Sequence, residues 1–356
     1  MAKLVVVLGG DGVGPEVTEA ATHILRQAEY PLEIQTPPCG EEVVDEFGTA
    51  FPDEARELCD KADAILFGST GEASILIMAY LRYVLKTYAN VRPMKYYPGS
   101  YSPLANPSNI DFVIVRENLE GMYPGREGDI SDLAQALPDY RDLVGKKFAD
   151  FGEGKFAIRI ITKEGTDRIA RFACELARKR KKKGSMGKVT CVTKQNMLRE
   201  SCGLFKARVE QVLKDYPELE YEHFHVDDAA RRLVRFPQKM DVIVASNMFG
   251  DILSDLGAEL VGGLGIAPSG CYSDEKAYFE SVHGSAPDIA GKGIVNPTAT
   301  ILSAAMMLEY LGLEREASAL ENAVASVYRE RNILTRDQGG TATTMQFAQA
   351  VLKKNT

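Results

Sequence analysis

Excess positive charge, paired cysteines and long apolar runs are all missing from this 356-residue chain. Lys and Arg total 42 against 50 Asp and Glu, a formal net charge of -8, which argues against a general nucleic-acid binder because phosphate recognition needs a cationic surface. The six cysteines, Cys39, Cys59, Cys174, Cys191, Cys202 and Cys271, are scattered and form no C-x-x-C pair. Neither a zinc site nor a dithiol redox centre is indicated, and buried free thiols are the reading. The opening apolar run, Leu4 to Leu8, is too short for a signal-peptide core, and no later segment approaches the ~20 apolar residues of a membrane span. A reducing, cytoplasmic setting and a small-molecule partner, with no nucleic acid and no membrane, are therefore expected.

What is present is an alternation of short apolar strands with longer helical patterns. Leu4 to Leu8 precedes a helix over Glu16 to Ala28, Ala64 to Phe67 precedes one over Ile75 to Tyr88, and Val189 to Thr193 precedes one over Leu204 to Tyr216. This is an α/β layout, and a chain of this length divides naturally into two domains. Asp111 to Arg116 and Phe156 to Ile161 read as strands, and the Gly-, Asp- and Pro-rich stretch between them suggests a second domain with an antiparallel insertion. Helices return over Thr298 to Leu311 and Glu316 to Arg329. The basic run Arg178 to Lys183 before Gly184 reads as a solvated helix end, where cations complement the dipole and Gly forms the cap.

Asp251 and Asp255 carry the strongest chemical signal. They lie four residues apart where the strand-like Val242 to Ala245 runs into a helix, so they share a face and repel each other unless a cation lies between them. Asp227 offers a third carboxylate, or else a helix N-cap. Oxygen ligands without a Cys or His cluster favour Mg²⁺ or Mn²⁺ over zinc. Arg82, Arg92 and Arg116 sit at element ends, each a fixed fork for a carboxylate or, read singly, a surface ion-pair residue. Gly9-Gly-Asp-Gly-Val-Gly14 follows a strand but misses the G-x-G-x-x-G spacing, and a tight strand-to-helix turn explains it without a ligand. The turn-rich segment Glu280 to Asn296 precedes a long apolar helix, a setting that suits ligand binding; His283 taken alone is more often a hydrogen-bonded structural histidine.

Several of these segments together resemble the β-decarboxylating dehydrogenase family, which contains the isopropylmalate, isocitrate, homoisocitrate and tartrate dehydrogenases. The motifs are Gly10-Asp-Gly-Val-Gly-Pro-Glu16, Leu81-Arg82, Asn90-Val-Arg92-Pro, Val115-Arg116-Glu-Asn-Leu-Glu-Gly-Met-Tyr123, Lys194-Gln-Asn196, Asn247-Met-Phe-Gly-Asp251-Ile-Leu-Ser-Asp255 and His283-Gly-Ser-Ala-Pro-Asp288-Ile-Ala-Gly. The resemblance runs almost end to end. It implies an isopropylmalate dehydrogenase-like fold, two α/β domains around a central mixed sheet, distinct from the standard Rossmann arrangement. Residues 1–96 and 262–356 would form the cofactor domain, and 97–261 the substrate and dimerisation domain, with an arm near 124–160.

The implied reaction is oxidation of the hydroxyl of a (2R,3S)-malate derivative by NAD⁺, followed by loss of the β-carboxylate. By resemblance, Arg82, Arg92 and Arg116 clamp the malate carboxylates, and Asp251, Asp255 and a second subunit's Asp227 hold Mg²⁺ or Mn²⁺. Lys194, also from the second subunit, takes the hydroxyl proton, and Tyr123 protonates the enolate carbon. Gly12 and Gly14 line the nicotinamide end. Glu280, His283, Gly284, Ser285, Ala286, Asp288 and Asn296 form the adenosine side, and Asn196 belongs to the cofactor set through its motif. A carboxylate at Asp288 accepts a ribose hydroxyl but repels a 2′-phosphate, and Ile289 replaces the Lys-Tyr pairing of NADP-using isocitrate enzymes, so NAD⁺ is expected. Shared sites imply a homodimer or a larger assembly.

In this family the C3 substituent is read by residues shortly before the first clamp arginine, here Ile75-Leu-Ile-Met78-Ala79-Tyr-Leu-Arg82. Leu76 and Met78 stand where isocitrate enzymes place Ser and Asn, and Ala79 stands where some homoisocitrate enzymes have Arg. A carboxylate against these side chains is costly, so a branched alkyl group such as isopropyl is the expected substituent. Homoisocitrate, isocitrate, tartrate or malate is the alternative within the family, and a non-catalytic regulatory subunit the alternative outside enzymology.

Overall fold

The computed structural model describes residues 2–355. Twelve strands occur among them: β1 (Lys3–Gly10), β2 (Leu32–Gln35), β3 (Ala64–Ser69), β4 (Ala89–Lys95), β5 (Asp111–Glu117), β6 (Glu127–Asp129), β7 (Lys155–Ala157), β8 (Lys188–Thr193), β9 (Glu220–His225), β10 (Val242–Ala245), β11 (Pro268–Tyr272) and β12 (Ala277–Ser281). Ten build one mixed sheet in the order β2-β1-β3-β12-β11-β4-β5-β10-β8-β9. Its two flanks are parallel, and the antiparallel pairs β12–β11, β11–β4 and β4–β5 join them at the centre. The remaining strands, β6 and β7, form a separate antiparallel ribbon.

Strand alternation decides which side chains meet which helices. On the N-terminal flank Val5, Val7, Leu66 and Phe279 pack under the helices Gly14–Gln27, Thr298–Tyr310, Glu314–Glu330 and Thr344–Lys354. Their neighbours Val6, Leu8, Phe67 and Tyr278 face the other way, toward Asp53–Lys61 and the segment Ile75–Val84. Farther along, Val113, Val115, Val189 and Val244 lie under the helices Lys163–Lys182 and Arg199–Leu213. Phe112, Ile114, Val192 and Ile243 face the helices Val226–Arg235 and Asn247–Val261. Strands buried on both faces read as continuous apolar runs, which is why they were visible in the sequence.

Three readings change on folding. The helix expected to reach Tyr88 stops early: Ile75–Ala79 is α-helical, Tyr80–Val84 is a π-helical turn, and the bonds Leu85 N to Tyr80 O (3.1 Å) and Thr87 N to Arg82 O (3.0 Å) close it. The strand expected over Phe156 to Ile161 ends at Ala157, and Ile160 makes only an isolated bridge with Gly121. The basic run is not simply solvated. Arg180 Nε bonds the fully buried Asp241 at 2.7 Å, and Lys179 and Lys183 both reach Glu309 at 3.1 Å. Asp241 also accepts the N–H groups of Gly187 (2.7 Å) and Lys188 (3.1 Å), so its charge ties a helix end to the start of β8. All six cysteines are free, with Cys39 half-buried and the others buried. No helix among the described residues is long and apolar enough to cross a membrane.

Candidate active site

Strand register assembles the site. Asn90 lies opposite Arg116 and Arg92 opposite Ile114 in the β4–β5 ladder. Residues two apart share a face, so Arg92 and Arg116 are diagonal neighbours on one side of the sheet. Across β11, the same alternation places Tyr278 and Glu280 of β12 on that side. The segment Ile75–Val84 and the helix Asn247–Val261 cover this face from either end.

Helical periodicity then brings Asn247, Asp251, Ser254 and Asp255 onto one stripe facing the arginines. Arg116 donates from Nε and Nη2 to Asn247 Oδ1 at 2.9 and 2.7 Å, and pairs with Asp251. Arg92 donates to Ser254 Oγ at 2.6 Å and lies 3.3 Å from Asp251 Oδ1 and 3.7 Å from Asp255 Oδ1. Asn247, Ser254 and Asn90, which holds Arg92 Nε at 3.2 Å, were not assigned roles from sequence. The i, i+4, i+7, i+8 spacing from Asn247 is the signal that could have found the first two.

Burial and the crowding of charges both bear on the acid–base behaviour of this cluster. Burial and then Arg92 push the Arg116 guanidinium down to about 10, against the pull of Asp251. Burial raises Asp255, as does neighbouring Asp251, while Arg92 and Arg116 oppose the rise. Tyr123 donates its hydroxyl to Asp251 Oδ2 at 3.0 Å, and the Arg116 guanidinium lies 5.4 Å from its ring centre. Burial, then the Asp251 charge and hydrogen bond, raise the phenol above its ordinary value. The π-helical turn carries Arg82, whose buried Nε has no hydrogen-bond partner. An unpartnered cationic donor beside two more arginines suits a dicarboxylate. Ahead of it, Ile75 and Leu76 are exposed and Met78 and Ala79 half-buried.

Lys194 and Asp227 lie together but apart from this cluster. Their side chains form an ion pair, and the hydrogen bond from Lys194 is the main cause that lowers Asp227. Asp227 falls in the first turn of Val226–Arg235, where His225 occupies the N-cap position, so it is not the N-cap. Among the described residues, no three His, Cys, Asp or Glu side chains of a single chain gather as metal ligands. Asp227 therefore does not join Asp251 and Asp255 within one copy. The donor set is nonetheless all oxygen and suits a hard dication.

The glycine turn and the segment after β12 meet directly. Val13 N donates to Ser285 O at 2.9 Å, and a Cβ on Gly12 (φ 59°) would stand 2.1 Å from that carbonyl. Gly12 N also donates to Glu41 Oε1 at 2.8 Å. Gly14 is explained by packing, since a Cβ there would lie 2.1 Å from Gly9 O. Buried Asp11 binds Ser74 and accepts Glu41 N–H at 2.9 Å, stitching three segments that the sequence reading left unconnected. His283 Nδ1 meets Gly284 O at 2.9 Å while its buried Nε2 has no partner. Gly284 has open space, and Ala286 (φ 39°) holds a left-handed conformation. Asp288 is exposed, and Ile289 packs with Val13, Val17 and Val295.

Two members of the expected cofactor set, Glu280 and Asn296, have polar neighbours of their own. Burial raises the Glu280 carboxyl, and Arg82, Arg92 and Arg116 pull it down again, so it lies near the arginine cluster at the end of β12, just ahead of the segment His283 to Asn296. Asn296 is buried and engaged: Oδ1 accepts Thr298 N–H at 3.0 Å and its hydroxyl at 2.6 Å, while Nδ2 donates to Asp337 at 2.9 Å and Tyr328 at 3.3 Å. Its side chain locks the start of a helix. Asn196 falls in the turn between β8 and the helix Arg199–Leu213, exposed.

The family model for isocitrate/isopropylmalate dehydrogenase matches residues 4–351. The chain belongs to that family. It is 44% identical to the 3-isopropylmalate dehydrogenase of Archaeoglobus fulgidus, covering 98% of each chain. It is 42% identical to the isocitrate/homoisocitrate dehydrogenase of Thermus thermophilus, covering 99% of this chain and 98% of that one. Among solved structures, the isocitrate dehydrogenase from Methylococcus capsulatus superposes with a TM-score of 0.85 at 34% identity, covering 100% and 99% of the two chains. As an isocitrate/isopropylmalate dehydrogenase-family member, the protein is a dehydrogenase of the oxidatively decarboxylating class. Its mixed central sheet is the fold of that family.

Proposed function

We propose that the protein oxidises and decarboxylates a (2R,3S)-3-alkylmalate with NAD⁺, with 3-isopropylmalate giving 2-oxo-4-methylpentanoate, a step of leucine biosynthesis, as the preferred reaction. The observation that carries this reading is the meeting of Arg82, Arg92 and Arg116 with Asp251, Asp255 and the Tyr123 hydroxyl on one sheet face. Three guanidinium groups match the two carboxylates common to all malates. The apolar Ile75, Leu76, Met78 and Ala79 favour an alkyl rather than a carboxylate substituent.

The arginines orient the acid so that its hydroxyl faces Asp251 and Asp255, which with Asp227 of the partner subunit would hold Mg²⁺ or Mn²⁺. When bound, the dication would supply Lewis acidity toward the alcohol oxygen, and NAD⁺ would supply the hydride acceptor. Lys194 of the partner subunit accepts the hydroxyl proton. The arginines hold the β-carboxylate until CO₂ departs. Tyr123, kept protonated beside Asp251, then delivers its proton to the substrate carbon. The unpartnered His283 Nε2, the open space at Gly284 and the exposed Asp288 carboxylate suit the adenosine part of NAD⁺, and an acid at Asp288 disfavours a 2′-phosphate. Shared residues require a homodimer or a larger assembly, and the reaction suits the cytoplasm.

The test is NAD⁺ and NADP⁺ reduction with Mg²⁺ across 3-isopropylmalate, homoisocitrate, isocitrate, tartrate and malate. The highest kcat/KM is expected for 3-isopropylmalate with NAD⁺. Preference for an acid with a third carboxylate would overturn the substrate assignment, and no turnover with any acid would favour a regulatory subunit.

A further inference from the structure

We propose that His223 is a positioning residue for Lys194, acting through the hydroxyl of Thr193 from the opposite face of the sheet. The inference rests on the reading of Lys194 as the proton acceptor. In the β8–β9 ladder Cys191 lies opposite His223 and Thr193 opposite His225. These residues share the face covered by the helix Arg199–Leu213. Thr193 Oγ1 meets His223 Nε2 at 2.8 Å, and the same oxygen accepts the N–H of Gln195 at 3.2 Å. One hydroxyl thus ties the residue before Lys194 to the residue after it, and His223 holds that hydroxyl.

The rest of the Lys194 backbone is equally engaged. Its N–H donates to Cys202 Sγ at 3.3 Å, and its carbonyl accepts from Met197 at 3.0 Å and Leu198 at 2.8 Å. Four residues beyond His223, Asp227 pairs with the Lys194 ammonium. The end of β9 and its following turn therefore grip Lys194 twice, at the backbone through His223 and at the amine through Asp227. Lys206 and Glu210 of the covering helix, an ion pair at 2.7 Å, face the imidazole, as does His225 on its own strand at 5.5 Å between rings. Burial first, then Lys206 and His225, lower its titration, which favours the neutral ring with a single hydrogen bond at Nε2. His223 touches no reacting atom. Its effect falls on how often the lysine amine stands where the hydroxyl proton can reach it, a term in kcat rather than in substrate affinity.

The experiment uses the full-length enzyme with NAD⁺, Mg²⁺ and whichever acid of the panel the parent turns over fastest. His223→Leu is expected to lower kcat about tenfold or more while KM for the acid changes little. His223→Gln, whose amide reaches the Nε2 position, should restore most of the loss. Thr193→Val should reproduce it, and the double variant His223→Leu/Thr193→Val should be no worse than the poorer single one. Hydrogen–deuterium exchange of a peptide spanning residues 193–198 should quicken in His223→Leu. Parental kcat in both His223→Leu and Thr193→Val, an equal deficit in His223→Gln, or a deficit confined to KM would each overturn the proposal. Should His223→Leu fail to fold, Thr193→Val and His223→Gln carry the same comparison. Lys194→Ala measured alongside separates the two readings. An active Lys194→Ala removes the lysine from its role; an inactive one beside parental His223→Leu and Thr193→Val rejects the His223 link alone.

Discussion

Tyr123 shows how neighbours set the proton affinity of an ordinary residue. Its phenol donates a hydrogen bond to the Asp251 carboxylate, and burial, then that same charge, raise the phenol above its ordinary value. It therefore stays an acid across the neutral range. Tyr123→Phe is expected to lower kcat about 10²- to 10⁴-fold with a smaller change in KM; steady-state kinetics with the preferred acid decide it, and parental kcat would reject the role. Glu117 makes the opposite point, because it is buried, adjoins Arg116 and yet faces away from the cluster. Burial pushes it up to about 7, although the N–H groups of Glu120 and Leu119 favour the charged form. A carboxyl whose folded value is raised binds more protons in the folded state, so its contribution is full below its ordinary value and lost as pH rises through about 7. The melting temperature of Glu117→Gln, compared with the parent at each pH, should become progressively more favourable from pH 5 to pH 8. A difference independent of pH would show that Glu117 does not titrate in that range.

At the scale of elements, the periodic segments were legible and the irregular ones were not. β1, β3, β5 and β8 announced themselves as apolar runs, because strands covered on both faces leave no polar alternation. The π-helical turn at Tyr80–Val84 did not, because its wider bonding adds no composition cue to a pattern that looks helical through Tyr88. The basic run was legible as a helix end, but not its purpose. Arg180 neutralises Asp241, which is fully buried and lies 61 residues away in the sequence. Removing one member of such a pair leaves an uncompensated charge. Arg180→Ala should therefore destabilise the fold by about 3 kcal/mol in denaturant titration, whereas Lys182→Ala in the same run should cost little. Equal effects would mean that the run acts only as a generic helix terminus.

For the whole molecule, the two clusters lie apart within one copy. One copy carries the arginines with Asp251, Asp255 and Tyr123, and elsewhere carries the Lys194–Asp227 pair. The proposal that a second copy completes each site predicts complementation. Lys194→Ala and Asp251→Asn should each be nearly inactive alone. Co-expressed and mixed at random, they should recover about a quarter of parental activity, because half the dimers are then mixed and each mixed dimer has one intact site. No recovery would place Lys194 and Asp251 in different reactions or in the same copy.

The sequence by itself determined the alternation of strands and helices, the family motifs and the pairing of acidic with guanidinium side chains on which the proposed function rests, since local spacing and side-chain chemistry carry that information. Asp251 and Asp255 were recognisable as a pair because a helix converts a four-residue interval into a shared face. Only the tertiary structure decided that Arg92 and Arg116 are diagonal neighbours, that Glu280 belongs with them, that Asn296 locks a helix start, and that Lys194 stands apart from Asp251. The first two outcomes depend on the register between strands far apart in the chain, where a shift of one residue turns every side chain to the opposite face. Spacing along the chain does not encode that register.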